Sequence, residues 1–310
     1  MAIYPSKDKY LVFGKETGGY GVAPGTVNSH FGLIQKATGR IKNNIQSYRG
    51  IGAGRNAAHR EVGGLLDTGI NMTFQVINGS FLEYVFGTKT GSGTAGDPYV
   101  YAEADTLSSL TIEDANNLST DQVLRFLGSV CKRMTIRCRL GEPVEVDMEF
   151  DSMEFDSYDV SKSNTYQSIN VPSTAIYHFV HGAFEVPSGT TISEVQEITI
   201  VIDNKTKRYG GIGDRKGVVE VTTREYSGTV KKWITDGTHM EDAMGGSAST
   251  SDDTPSGEAT LQLDLTDGSR YIRITLNNVD FDWEGNAELE RETEENITFG
   301  AKSGGAEEVV

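Results

Sequence analysis

Residues 203–245 read DNKTKRYGGIGDRKGVVEVTTREYSGTVKKWITDGTHMEDAMG, and residues 43–87 read NNIQSYRGIGAGRNAAHREVGGLLDTGINMTFQVINGSFLEYVFG. Identity between them is low, yet the punctuation repeats. Gly211, Ile212 and Gly213 answer Gly50, Ile51 and Gly52, and Asp236-Gly237 answers Asn78-Gly79. Each block closes on a short predicted helix, 80–87 in one and 238–245 in the other, with Glu83 set against Glu241. Turn signals in the same order, at an offset of roughly 160 residues, are the mark of an internal repeat. The repeat points to assembly rather than chemistry.

Outward from these blocks the chain reads as strands. Residues 71–77 alternate apolar and polar at period two, as do 134–140 and 144–150 around the turn Gly141-Glu142-Pro143, and 260–265 and 271–276 around Asp267-Gly268. Residues 121–130 read as strand, and 176–181 and 198–202 as further strands. Thirty-six glycines against seven prolines suit many short strands joined by turns. The expected fold is all-β, with two internally duplicated domains, 1–163 and 164–310, each carrying a short flanking helix. The polar stretch 161–173 is the expected linker. Residues 1–30 read as an arm in which 4–13 pair as an edge strand, followed by a Gly/Pro-rich loop with no packed core. Residues 247–257 read as a flexible tip, and the acidic tail 286–310 as mobile until a partner orders it. Disorder in the arm, tip and tail is the expected brake on premature polymerisation.

Composition excludes several classes. Asp and Glu number 44 against 28 Lys and Arg, a formal net charge of −16, and such a surface repels nucleic acid instead of neutralising its phosphates. No apolar run reaches the length of a membrane-spanning helix, and the N-terminus lacks a signal-peptide pattern. Synthesis in the cytoplasm is therefore expected, and the five N-x-S/T sequons at Asn71, Asn78, Asn117, Asn204 and Asn296 are read as chance. Cys131 and Cys138 on one strand lie about 23 Å apart on opposite faces. That excludes a disulfide between them and suits free thiols.

Catalytic and cofactor motifs fail one by one. The GIGAG at Gly50 has neither a buried parallel strand before it nor a long helix after it, as a dinucleotide loop needs. His178 and His181 on a strand face opposite sides and cannot share a metal. His239, Met240, Glu241 and Asp242 lack a second His, and residues 264–267 form a hairpin turn rather than a calcium loop. No Gly-x-Ser-x-Gly elbow occurs. No catalytic, cofactor or metal residue is assigned. Arg49, Arg55, Lys205, Lys207, Arg208, Arg215 and Lys216 flank the two Gly loops and are expected to meet the acidic surface of a neighbouring copy.

GKETGGYGVAPGTV from Gly14, EITIVIDNKTKRYGGIGDR from Glu197, EYSGTVKKWITDG from Glu225 and TLQLDLTDGSRYIRITLNNVDF from Thr260 together resemble the tail tube proteins of tailed phages and archaeal tailed viruses. The resemblance implies tail-tube-like β-sandwich domains whose subunits close into rings. It implies that their sheets merge into an inner barrel, that rings stack head to tail, and that viral DNA passes down the lumen without specific binding. Partners are then the chain itself, other tail proteins at the tube ends, and a tape measure protein; the location is the virion tail. Family rings are six-fold or pseudo-six-fold, so two domains per chain predict a trimeric pseudo-hexamer. Rival readings are another virion β-sandwich (distal tail, neck or capsid decoration) or a surface carbohydrate-binding module.

Overall fold

The computed structural model describes residues 9–48, 60–116, 122–156, 175–186, 189, 191–192, 194–233, 259–286 and 294–310. The helix expected at 238–245, the first Gly loop with Arg49 and Arg55, the linker, the tip and the boundary at 163/164 lie outside those residues.

The chain is all-β apart from short helical turns. Its first strands are β1 (Lys9–Lys15), β2 (Leu33–Lys42), β3 (Ile45–Tyr48), β4 (Arg60–Gly63) and β5 (Asp67–Gln75). Helix α1 (Leu82–Phe86) follows, then β6 (Gly87–Thr90), β7 (Tyr99–Glu103), β8 (Leu110–Asn116), β9 (Gln122–Arg139), β10 (Glu145–Ser152) and β11 (Glu154–Asp156). Later come β12 (Gly182–Glu185), β13 (Val195–Asp203), β14 (Thr206–Tyr209), β15 (Val218–Val221), β16 (Glu225–Trp233), β17 (Ala259–Asp267), β18 (Arg270–Asn286) and β19 (Glu294–Val309). One antiparallel path runs β12-β17-β18-β19-β16-β13-β9-β10-β5-β2. The first half of β9 turns out of this path to pair β8 and β11, and β8 pairs β1. Gly128 marks that change of partners, at φ +58°.

Alternation decides what is buried. In β10, Val146, Met148 and Phe150 face the core while Glu145, Asp147, Glu149 and Asp151 face away. Ile198, Ile200 and Ile202 of β13, and Leu261, Leu263 and Leu265 of β17, join the same cluster as Ile70, Met72 and Phe74 of β5. Strands from either side of 163/164 thus pair directly, β9 with β13, and share one core. Helix α1 buries Leu82, Val85 and Phe86 in it and stops at Gly87, whose φ of 113° suits the C-terminal cap. Its last carbonyls receive Asn204 Nδ2 (to Val85 O, 3.3 Å) and the Arg224 guanidinium (to Phe86 O, 3.3 Å).

Several expectations change. The tail is not loose: β19 pairs β18 along its length, β16 through 294–301 and β7 through 305–308. Ile297, Phe299, Ala306 and Val309 supply its buried face, and Glu308 is buried too. The arm beyond residue 8 is also packed. Phe13 stacks on Phe31 with ring centroids 3.9 Å apart. The Glu16 carboxylate accepts hydrogen bonds from the Gly21 and Gly128 N–H groups (2.7 and 2.8 Å) and from the Ser109 and Thr111 hydroxyls (2.6 and 2.9 Å). Cys131 and Cys138 are free, but both belong to the core side of β9. A register shift between Glu149 and Phe150 of β10 leaves an extra residue in β9 between them, which turns the later side chains over. Residues 176–181 are not a strand; a 3-10 turn spans Phe179–His181, and the His178 N–H donates to His181 Nδ1. Asn204, one of the sequons, is fully buried.

Candidate functional site

Eight strands, in the order β2-β5-β10-β9-β13-β16-β19-β18, carry the polar face opposite the core. Charges on this face are laid out as cross-strand pairs. Arg40 of β2 meets Asp67 (3.2 Å), Glu149 (3.5 Å) and Asp151 (2.5 Å). Lys132 meets Glu149 at 3.0 Å, and Arg137 meets Asp147. Arg133 reaches Asp203 at 3.1 Å and Arg139 reaches Glu197 at 2.7 Å, both across the β9–β13 junction. Lys205 bridges Asp203 (3.2 Å) and Glu225 (3.0 Å), and Lys231 pairs Glu294 at 2.6 Å. Burial raises the Asp203 pKa, but the Lys205 backbone N–H and ammonium, with Arg133, outweigh it and hold the carboxyl below its ordinary value. A base committed to a carboxylate has little left to offer a phosphate. Most of the positive charge on this face is tied down; Lys36 and Lys42 of β2 are exposed and carry no ion pair among the described residues.

The basic residues of the second Gly loop do not wait for a neighbouring copy, as the sequence suggested. The Arg208 guanidinium donates to Thr68 O at 2.9 Å, Arg215 to Asn43 Oδ1 at 3.0 Å, and Lys216 pairs Glu154. Lys207 lies over the Tyr209 ring. The Arg208, Arg215 and Lys216 contacts, with the Val219 N–H donating to the Tyr20 hydroxyl (2.8 Å), hold the β14–β15 hairpin against the first half of the same chain. Asp264 is spent on Arg273 (2.8 Å) and Asp267 on Arg270. His239 to Asp242 fall outside the described residues. Among the described residues no three His, Cys, Asp or Glu side chains are grouped to hold a metal ion, and no helix is long and apolar enough to cross a membrane.

The eight strands form two groups of four with matching pairing. Strands β5 and β16 are nine residues each, β3 and β14 four each, β4 and β15 four each. Thr38 pairs Asn71, fifth in β5, and Thr199 pairs Thr229, fifth in β16. The row continues from Asn71 through Glu149 to Arg133, and from Thr229 through Thr298 to Asp282. From Arg133 it steps onto β13 at Asp203. Asp203 lies four residues beyond Thr199, the counterpart of the Thr38 where the row began. The first group of four strands therefore advances the row by four residues. Sequence reading missed this stagger, because it is a property of pairings and not of any one segment.

The profile of a family described as phage tail tube protein matches residues 6–308. No curated protein matches the chain.

Proposed function

The chain belongs to the phage tail tube protein family, a structural component of the virion tail, and from that premise we propose that it self-assembles into stacked rings through which viral DNA leaves. The observation that supports ring closure is the stagger of four residues per four strands. With about 3.4 Å per residue and about 4.8 Å between strands, it sets a strand tilt of about 35°, inside the range of closed barrels. A sheet that keeps this tilt closes on itself and has no edge left to aggregate.

The matched groups support an internal duplication, one tail-tube-like unit in each half, divided at 1–163 and 164–310. Three chains then give six units and a barrel of twenty-four strands. For that strand number and tilt the backbone cylinder is about 45 Å across. Side chains on the inner face take about 10 Å of it, leaving a bore of about 35 Å that passes a duplex with clearance. The polar face described above is the lining. Most of its Arg and Lys side chains sit on carboxylates, Lys36 and Lys42 of β2 excepted, so the lining offers DNA few free cations to grip; beyond about 8 Å any residual charge is screened.

Stacking of rings is a heterologous contact that never closes, and it makes a filament. Tube ends then meet other tail proteins, and a tape measure protein is a further partner. Native mass spectrometry of soluble rings, with image symmetry analysis of tubes, tests the proposal. Three chains per ring is the expected result; six chains per ring overturns the trimer, and the absence of rings and tubes overturns the function.

A further inference from the structure

Within the eight-strand sheet of the polar face, two edges lack a neighbour among the described residues. Strand β2 pairs only with β5, and β18 beyond Val279 pairs only with β19. An apolar side chain next to the first edge is left in water where its counterpart is covered. Ile41 of β2 is 37% exposed, whereas Ile202, in the same place on β13, is 0% exposed. The β3–β4 hairpin leaves Ile45, Tyr48 and Val62 exposed at 60, 55 and 54%. Its counterpart β14–β15 rests on the first half of the chain through Arg208, Arg215 and Val219.

We propose that the free edge of β2 in one copy pairs antiparallel with the free edge of β18 in a second copy, in the register that β9 and β13 use within one chain. That register puts Arg133 opposite Asp203. The residue that takes the Arg133 place in the second group is Asp282, and the residue that takes the Asp203 place in the first is Lys42, four beyond Thr38. The seam between copies is thus an acid-base seam like the one inside the chain, with the polarity reversed. Inside, the base stands on β9 and the acid on β13; between copies, the acid stands on β18 and the base on β2.

Lys42 and Asp282 are both exposed, and no ion pair engages either of them among the described residues. The edge of β2 also carries Lys36 and Arg40 on the Lys42 face, so two β2 edges laid together would set base against base. Two β18 edges would set Asp282 against acid. Like charges directly opposite on paired strands are unfavourable, so the reversal selects the head-to-tail joint that builds a ring over the self-paired joint that ends in a dimer. The face of the hairpin β3–β4 that carries Tyr48 and Val62 then meets the second half of the neighbouring chain, as β14–β15 meets the first half of its own. The inference deepens the ring reading and rests on it in requiring a second copy.

Single variants K42C and D282C, mixed, assembled and treated with a short bis-maleimide, should give a covalent two-chain product on a denaturing gel. Each alone should stay monomeric, and the double variant K42C/D282C should give a covalent closed ring. T38C with D282C should not react, because four residues along a strand is about 13 Å. Rings seen by microscopy without the K42C–D282C product, or with equal reaction of T38C, overturn this seam while the ring reading survives. A wild-type chain that never self-associates overturns both. The charge reversals K42D and D282K should each raise the concentration for half-assembly several-fold at low salt, and K42D/D282K together should return it to within twofold of wild type. No rescue in the double variant overturns the selection by charge.

Discussion

Replacing Glu308 with Ala tests whether the C-terminal strand is a structural member or an appendage. Glu308 is 2% exposed, and its carboxylate accepts the Gly79 N–H at 2.6 Å and the Tyr101 hydroxyl at 2.5 Å. It ties β19 to the turn before α1 and to β7, three elements far apart in the chain. Removing it orphans two buried donors at about 1–3 kcal/mol each, a gross loss of about 2–6 kcal/mol. Relief from burying a charge returns part of that, leaving a net loss of about 2–4 kcal/mol. Against a usual total of about 5–15 kcal/mol this is large. Urea unfolding by linear extrapolation measures it, and amide exchange across 305–309 localises it. Glu308→Gln keeps one acceptor and should lose about half as much. A Glu308→Ala protein within about 0.5 kcal/mol of wild type, a change no larger than an ordinary surface substitution, with unchanged exchange in 305–309, refutes the reasoning.

Gly128→Ala should cost about 1–3 kcal/mol in the same assay. The residue sits at φ +58°, and an added Cβ would lie 2.8 Å from Met153 Cβ and 3.0 Å from the Tyr20 ring. Burial pushes the Cys138 thiol up to about 11 and the Cys131 thiol higher still. A thiol reagent at pH 8 should therefore modify neither quickly in the folded protein and both after unfolding. Asp203 has its folded pKa below the unfolded value, since the Lys205 contacts outweigh its burial. Its contribution is therefore full above the unfolded pKa of about 3.9 and is lost as pH falls through the folded pKa. Asp203→Asn should lower the melting temperature at pH 7, by a margin that shrinks as pH drops below about 4.

The sequence determined a good deal by itself. Period-two alternation gave the strands around 71–77, 134–150 and 198–202, because a strand with one buried face must alternate. The turn residues Asn78-Gly79 and the C-terminal Gly87 marked the one described helix. Paired turn signals set 43–87 beside 203–245 as an expected repeat, and β3 and β14, β4 and β15, and β5 and β16 have equal lengths.

What it left open depended on contacts between distant residues. The tail 294–309 is acidic and glycine-containing, so it reads as loose; it is a central strand because β16, β18 and β7 supply hydrogen bonds on its edges, and Gly79 and Tyr101 satisfy Glu308. Residues 9–31 are rich in turn formers, and they are fixed by the pairing of β1 with β8, the stacking of Phe13 on Phe31 and the burial of Glu16 under four donors. The loop cations looked available until Thr68, Asn43 and Glu154 claimed Arg208, Arg215 and Lys216. Cys131 and Cys138 share a side because one extra residue in β9 shifts the pleat, and a bulge leaves no trace in local composition. Stagger, free edges and the partners of each charge are relations between strands, so only the folded sheet could decide them. The sequence determined which residues become strands and which face of each is apolar; the tertiary structure decided which strands pair and which edges have no neighbour among the described residues.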